Sequence, residues 1–198
     1  MWIGRFLTFL VRLLFGIRAL YWRSMPPVGQ SIYFANHSSH ADTIALWSAI
    51  DPSERLNVRP VAALDYWGSG IMRRYVALQG LNAILIDRDG KSESNPLAPV
   101  QQALDEGYSI IVFPEGTRNA SPVPGPFKSG LYWLARSHPN VPLVPVYLDN
   151  LHRCLPKGSW LPVPLACTVR FGESIQLEPD EGKFQFLHRA HQALVDLS

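Results

Sequence analysis

The sequence predicts an α/β fold: a single-layer mixed, mostly parallel sheet flanked by helices, with an N-terminal amphipathic membrane-associated helix ahead of it. Three observations carry this. Apolar runs of strand length at 32–35, 58–63, 81–86, 109–113, 141–148 and 166–171 alternate with stretches of helical period. Glycine, proline and asparagine punctuate the joins. No repeat, low-complexity tract or interdomain linker interrupts the 198 residues, a length that one core organises without disulfides.

Composition narrows the class. A formal charge of +2 is too small to argue for nucleic acid. Charged residues make up 17%, below the usual ~25%, beside 11% aromatics, which suits a protein that leans on a membrane. Cys154 and Cys167 have neither metal spacing nor the density of a secreted scaffold, so they are expected as inert core or loop thiols in a reducing compartment.

In chain order, residues 1–22 come first and are the most apolar part. Arg5, Arg12 and Arg18 interrupt them, so they fall short of the ~20 uninterrupted apolar residues of a spanning helix. At ~100° per residue, Trp2, Phe6, Leu10, Leu13, Ile17 and Leu20 fall on one side and the arginines on the other. A basic, aromatic-rich helix of this kind suits the bilayer interface. Packing on the protein's own core would suit it too. The arginines also break the h-region that a signal peptide needs. Met25-Pro26-Pro27 stops the helix, giving a membrane-interface helix over 1–24 and a domain over 25–198.

The first strand of the domain (32–35) delivers Asn36-His37-Ser38-Ser39-His40-Ala41-Asp42, and a helix over 43–50 follows, ended by Asp51-Pro52. After the strand at 58–63, residues 66–77 read as helix. The short run 81–86 closes on Asp87-Arg88, and a polar loop begins at Asp89-Gly90. A helix over 97–106 stops at Gly107, and the strand 109–113 feeds Phe113-Pro114-Glu115-Gly116-Thr117-Arg118. Prolines make 119–126 a loop. Residues 127–137 read as helix, 141–148 as strand despite two prolines, 155–164 as loop, 166–171 as strand and 184–197 as the last helix.

Two stretches carry chemistry. His37 and Asp42 are five positions apart across a strand-to-helix junction. At that spacing the carboxylate can hold one ring nitrogen's proton and fix the tautomer, leaving the other nitrogen as a base. Such a pair suits a reaction whose substrate brings its own hydroxyl. His37, His40 and Asp42 could also mimic a metal site, but the spacing is loose and no fourth ligand follows. At 113–118 a turn presents an acid, a glycine and a base. Gly116 permits close backbone approach to a ligand, and Arg118 offers a planar fork of donors for phosphate or carboxylate. Glu115 could hold that arginine or accept a substrate hydroxyl.

Together these stretches resemble the glycerolipid acyltransferase family typified by 1-acylglycerol-3-phosphate acyltransferase. The family's Asn-His-x4-Asp is matched by Asn36, His37 and Asp42, and its Phe-Pro-Glu-Gly-Thr-Arg stands intact at 113–118. Ile86-Asp87-Arg88 matches its Ile-Asp-Arg, Phe127-Lys128-Ser129-Gly130 its Phe-Lys-x-Gly, and 141–146 its Val-Pro-x-Val-Pro-Val strand. The five blocks occur in order over residues 30–148. Asn82 stands where the family often has glycine, and Asn119 where serine is common.

The resemblance implies transfer of a fatty acyl group from acyl-CoA or acyl-ACP, as co-substrate, to the free hydroxyl of a lysophospholipid. His37 and Asp42 would be catalytic; Arg88, Glu115, Gly116, Thr117, Arg118 and Lys128 would bind substrate. The acceptor expected is 1-acylglycerol-3-phosphate, giving phosphatidic acid, with another lyso-lipid such as lyso-ornithine lipid as the alternative. A non-catalytic membrane-binding relative and a hydrolase are the competing classes. No cofactor, metal or nucleic acid is expected. Membrane lipids are the expected surroundings, at the cytoplasmic face.

Overall fold

The computed structural model describes residues 16–22, 25–39, 41–67, 70–87, 95–119, 121, 123–154 and 167–198. Among the described residues, seven strands form one sheet: β1 (Arg18–Tyr21), β2 (Ile32–Ala35), β3 (Val58–Ala63), β4 (Ile84–Ile86), β5 (Ser109–Val112), β6 (Leu143–Asp149) and β7 (Thr168–Phe171). Their order is β1-β7-β6-β2-β5-β3-β4. Every pair is parallel except β6 with β7. The sheet is thus mixed and mostly parallel.

All four residues of β2 are buried, as its place between β5 and β6 requires. Strand alternation sends Tyr33 and Ala35 to one face and Ile32 and Phe34 to the other. On the first face lies α1 (Asp42–Ala49), which buries Ala45, Leu46 and Trp47 against Val144, Val146 and Leu148. On the second face lie α4 (Ala98–Asp105), α5 (Gly130–Ser137) and α7 (Lys183–Val195). Val100, Leu134 and Phe186 are fully or almost fully buried there. Each such aliphatic or aromatic side chain stabilises the layer by roughly 1.5–3 kcal/mol.

This topology opens a crevice. From β2 the chain leaves over the first face through α1 and reaches β3. From its neighbour β5 it leaves over the second face through α5 and reaches β6. The two loops therefore diverge at the C-terminal ends of adjacent parallel strands, where open α/β sheets bind ligands. The described residues of those loops are 36–39 and 41 in the first, and 113–119, 121 and 123–129 in the second.

Several expectations are corrected. Residues 18–21, expected in the N-terminal helix, form the edge strand β1. Its hydrogen bonds to β7 are flanked by Arg18 N–H on the Cys167 carbonyl and Trp22 N–H on that of Phe171, and Tyr21 stacks on Phe171 at 5.4 Å. An apolar run with spaced arginines suits either period locally; here a strand neighbour far along the chain decided. The rest of that expected helix, residues 1–15, lies outside the described residues, and no described helix is long and apolar enough to cross a membrane.

The expected helix over 66–77 divides into the short turns α2 (Leu64–Trp67) and α3 (Ile71–Tyr75), and α3 widens into a π turn at Val76–Gly80. Asn82, at the family's glycine position, has φ +51°. That left-handed backbone is what glycine serves, and asparagine is among the few other residues that adopt it readily. Cys154, at the end of the one-turn α6 (Leu151–Cys154), and Cys167 were expected as separate thiols. Both are buried, with their sulfur atoms against each other.

Candidate active site

The site is built from the loop that follows β2. Asp42 opens α1 and is fully buried. Its Oδ2 accepts three hydrogen bonds, from His37 Nδ1 at 2.8 Å and from the main-chain N–H groups of Ser38 and Ser39 at 2.6 and 2.8 Å. These donors, with the positive end of the helix, compensate the buried charge. Because a carboxylate only accepts, Nδ1 of the neutral imidazole carries the proton and Nε2 keeps its lone pair. The spacing expected of the pair is realised, and its tautomer follows from the geometry.

Three further contacts hold His37, all from the stretch after β5. Phe113 stacks on the imidazole, ring centroids 4.3 Å apart and planes inclined by 22°. Glu115 Oε1 accepts the His37 main-chain N–H at 2.9 Å, and Asn119 N–H donates to the His37 carbonyl at 2.7 Å. Beneath them, Asn36 locks the end of β2 to β6: its side-chain amide donates to the Leu148 carbonyl at 3.0 Å and accepts the Leu148 N–H at 2.7 Å.

His37 faces a cavity of about 820 Å³. Its walls are apolar where β3, β4 and α5 supply Val61, Ile86, Leu131 and Leu134, and cationic where Arg118 and Lys128 enter. Thr117 and Gly116 complete the rim beside Arg118. Gly116 has φ +71°, and a Cβ there would lie 2.8 Å from Lys128 Cε and Nζ. The glycine thus makes the turn and admits the ammonium against it. Lys128 N–H also donates to the Pro114 carbonyl at 2.8 Å, which ties the Phe-Lys stretch to the Phe-Pro-Glu turn. A smaller recess of about 270 Å³ lies on the β6 side of the same loop and includes Asn36, Ser38, Tyr147 and Arg153. Burial raises the Tyr147 phenol above its ordinary range and nearby Asp149 adds to this, while Arg170 opposes it.

The structure therefore brings together His37, Asp42, Gly116, Thr117, Arg118 and Lys128. Glu115 is adjacent, with its oxygens on main-chain N–H groups. Arg88 lies outside the described residues, as does His40. Three contributors were missed as site residues: Asn36, Phe113 and Asn119. Asn36 and Phe113 sit within the matched motifs, and that position was the available signal. A base, two cations and an apolar chamber suit transfer of an acyl group to a hydroxyl on an anionic, lipid-like acceptor.

A family model described as Acyltransferase matches residues 22–149. The chain is similar to the 1-acyl-sn-glycerol-3-phosphate acyltransferase of Haemophilus influenzae, with 25% identity over 178 residues, 85% of this chain and 67% of that protein. To the protein of the same description from Limnanthes alba it is 30% identical over 177 residues, 85% of this chain and 58% of that one. A third such relative, from Limnanthes douglasii, is spanned over 49% of its length. The chain thus spans about half to two thirds of these curated relatives. A crystal structure of the 1-acyl-sn-glycerophosphate (LPA) acyltransferase from Thermotoga maritima shares the fold, with a TM-score of 0.75 at 21% identity over 98% of this chain and 76% of that one.

Proposed function

The chain belongs to the acyltransferase family, and on that premise we propose that it moves a fatty acyl group from a thioester to the free hydroxyl of 1-acylglycerol-3-phosphate, giving phosphatidic acid. The observation that carries this is the Asp42–His37 pair, stacked on Phe113, at the wall of a chamber lined both by apolar side chains and by Arg118 and Lys128.

Nε2 of His37 takes the acceptor's hydroxyl proton as the oxygen attacks the thioester carbonyl, and Asp42 neutralises the imidazolium that forms. A positioned base contributes about 10²–10⁴-fold. The tetrahedral oxyanion then collapses, the carbon–sulfur bond breaks, and the departing thiolate recovers the proton from the imidazolium. The ester and a free thiol are the products. Arg118 and Lys128 attract the acceptor's phosphate, and Arg88 joins them on the family pattern. The apolar walls take the hydrocarbon chain. The donor is acyl-CoA or acyl-ACP. The protein works at the cytoplasmic face of a membrane, with residues 1–15 as the interface segment and the sheet domain, which β1 joins, as the catalytic part. That the similar proteins act, by their descriptions, on 1-acyl-sn-glycerol-3-phosphate supports this acceptor.

The test is thiol release from acyl-CoA by the full chain, with and without 1-acylglycerol-3-phosphate, beside His37→Ala. Acceptor-dependent release, with phosphatidic acid formed and both lost in the variant, is the expected result. Release only with a lyso-ornithine acceptor would replace the head group. Free fatty acid without esterified lipid would make the protein a hydrolase. No release with acyl-CoA or acyl-ACP and any lyso-lipid would overturn the reading.

A further inference from the structure

The Phe-Pro-Glu-Gly-Thr-Arg turn offers its glutamate to several roles. Local sequence leaves it free to hold Arg118 or to meet the substrate. The structure places it elsewhere. Glu115 is 6% exposed, and the wall of the large cavity runs through Phe113, Pro114, Gly116, Thr117 and Arg118 without it. Its two oxygens instead accept main-chain N–H groups: Oε1 from His37 at 2.9 Å and Oε2 from Gly125 at 2.8 Å. A buried carboxylate needs such donors to offset its lost hydration.

Gly125 is matched to this. A Cβ there would lie 2.9 Å from Oε2 of Glu115, so a side chain at this position would push the carboxylate away. Described residues of the loop between the two motif ends bond to one another. Asn119 Oδ1 accepts the Ser121 N–H, and Asn119 Nδ2 donates to the Val123 carbonyl. From α7, His191 Nε2 donates to the Pro124 carbonyl at 3.0 Å, bracing the same loop. Since Asn119 N–H takes the His37 carbonyl, a closed ring results. It runs from the His37 carbonyl through Asn119 and the loop to Gly125, across the Glu115 carboxylate, and back to the His37 N–H. Both main-chain polar groups of the base are thereby held.

We infer that Glu115 is a positioning residue: its carboxylate, clamped between the main-chain N–H groups of His37 and Gly125, makes the loop 119–125 part of the support of the base and does not touch the substrate. This rests on the acyl-transfer reading for its kinetic consequence, while the clamp itself has a readout of its own. Glutamine at 115 retains one acceptor and presents an amide N–H₂ where the second must be, so it can hold only one of the two N–H groups.

The experiment uses the full chain as Glu115→Gln, Gly125→Ala and the double variant. Steady-state transfer from acyl-CoA to 1-acylglycerol-3-phosphate is measured beside the backbone amide resonance of His37 in histidine-labelled protein. For Glu115→Gln we expect kcat to fall about 10–10²-fold, the scale of a small misplacement of a catalytic group, with the acceptor KM changed less than about 2-fold. Gly125→Ala, at a residue that does not line the cavity, reproduces the fall. The double variant is no worse than the worse single, as two lesions of one device are non-additive. The His37 amide proton moves upfield in every variant. A raised acceptor KM with kcat kept, wild-type rates in Gly125→Ala, or fully additive losses would overturn the inference and return Glu115 to the substrate. If the wild type transfers no acyl group, the proposed function fails by itself. The amide shift then decides the clamp: movement in both single variants upholds it, and an unmoved resonance refutes it.

Discussion

Asp42→Asn separates two ways in which the carboxylate could serve the base. Asparagine is nearly isosteric, so its amide has two orientations. In one, the carbonyl oxygen replaces Oδ2 and still accepts from His37 Nδ1; in the other, the amide N–H₂ faces Nδ1 and forces the wrong tautomer. The structure chooses. The Ser38 and Ser39 N–H groups both point at the Oδ2 position, at 2.6 and 2.8 Å, so an amide N–H₂ there would meet two donors. The carbonyl is held at that place, the tautomer is preserved, and only the charge is lost. The N–H₂ then falls at the Oδ1 position, which is buried and has no hydrogen-bond partner among the described residues, so one polar group is unpaired there in the variant as in the wild type.

The catalytic loss follows from the imidazolium of the transition state. Opposite charges ~4 Å apart interact by about 4 kcal/mol at an effective dielectric near ~20. The two serine N–H groups already draw on the carboxylate, and a neutral carbonyl keeps part of the hydrogen bond. The net loss is then about 2–3 kcal/mol, or roughly 30- to 150-fold in rate. The assay is kcat/KM for acyl transfer at neutral pH, with Asp42→Asn and His37→Ala measured side by side and folding checked by circular dichroism. For a base contribution of ~10³-fold or more, within the usual ~10²–10⁴-fold range, the asparagine variant should stay above His37→Ala. A folded Asp42→Asn enzyme as inactive as His37→Ala would refute this, since it would mean that the amide had turned and the tautomer was lost.

Two more outcomes are expected. Gly116→Ala strains a residue at φ +71° and puts a methyl 2.8 Å from the end of Lys128, so the flexible ammonium is displaced. Acceptor KM should rise about 3–10-fold, consistent with loss of roughly one charge-assisted contact; an unchanged KM would remove Lys128 from the phosphate site. Glu181 accepts from Arg189 Nε and Nη2 at 2.8 and 2.6 Å, which lowers its pKa, while partial burial opposes the shift. A depressed carboxyl pKa adds stability above the unfolded value of ~4.3 and loses it as pH falls through the folded value. Being partly exposed and screened, the pair contributes about 0.5–1 kcal/mol. Glu181→Gln should therefore lower unfolding stability at pH ~7 and match wild type near pH ~3; a gap that persists in acid would contradict the linkage.

Local chemistry and element types were legible without tertiary information. His37 and Asp42 lie within one strand–loop–helix junction, so their spacing alone places them in reach. The alternation of apolar runs and helical periods likewise announces a layered sheet, because burying both faces of a parallel sheet demands helices between strands. What no local pattern carries is which strands become neighbours. Phe113 stacks on His37 and Glu115 binds its main chain because β5 lies beside β2, and Asn36 meets Leu148 because β6 lies on the other side. These contacts join residues 76, 78 and 112 positions apart. Residues 18–21 show the same limit in reverse: an apolar stretch that satisfies helical period became an edge strand once β7 offered unpaired main-chain groups. Side-chain period is a property of the segment, and hydrogen-bond partnership is a property of the fold. The sequence determined the base, its carboxylate and the layers; only the tertiary structure decided what holds that base still.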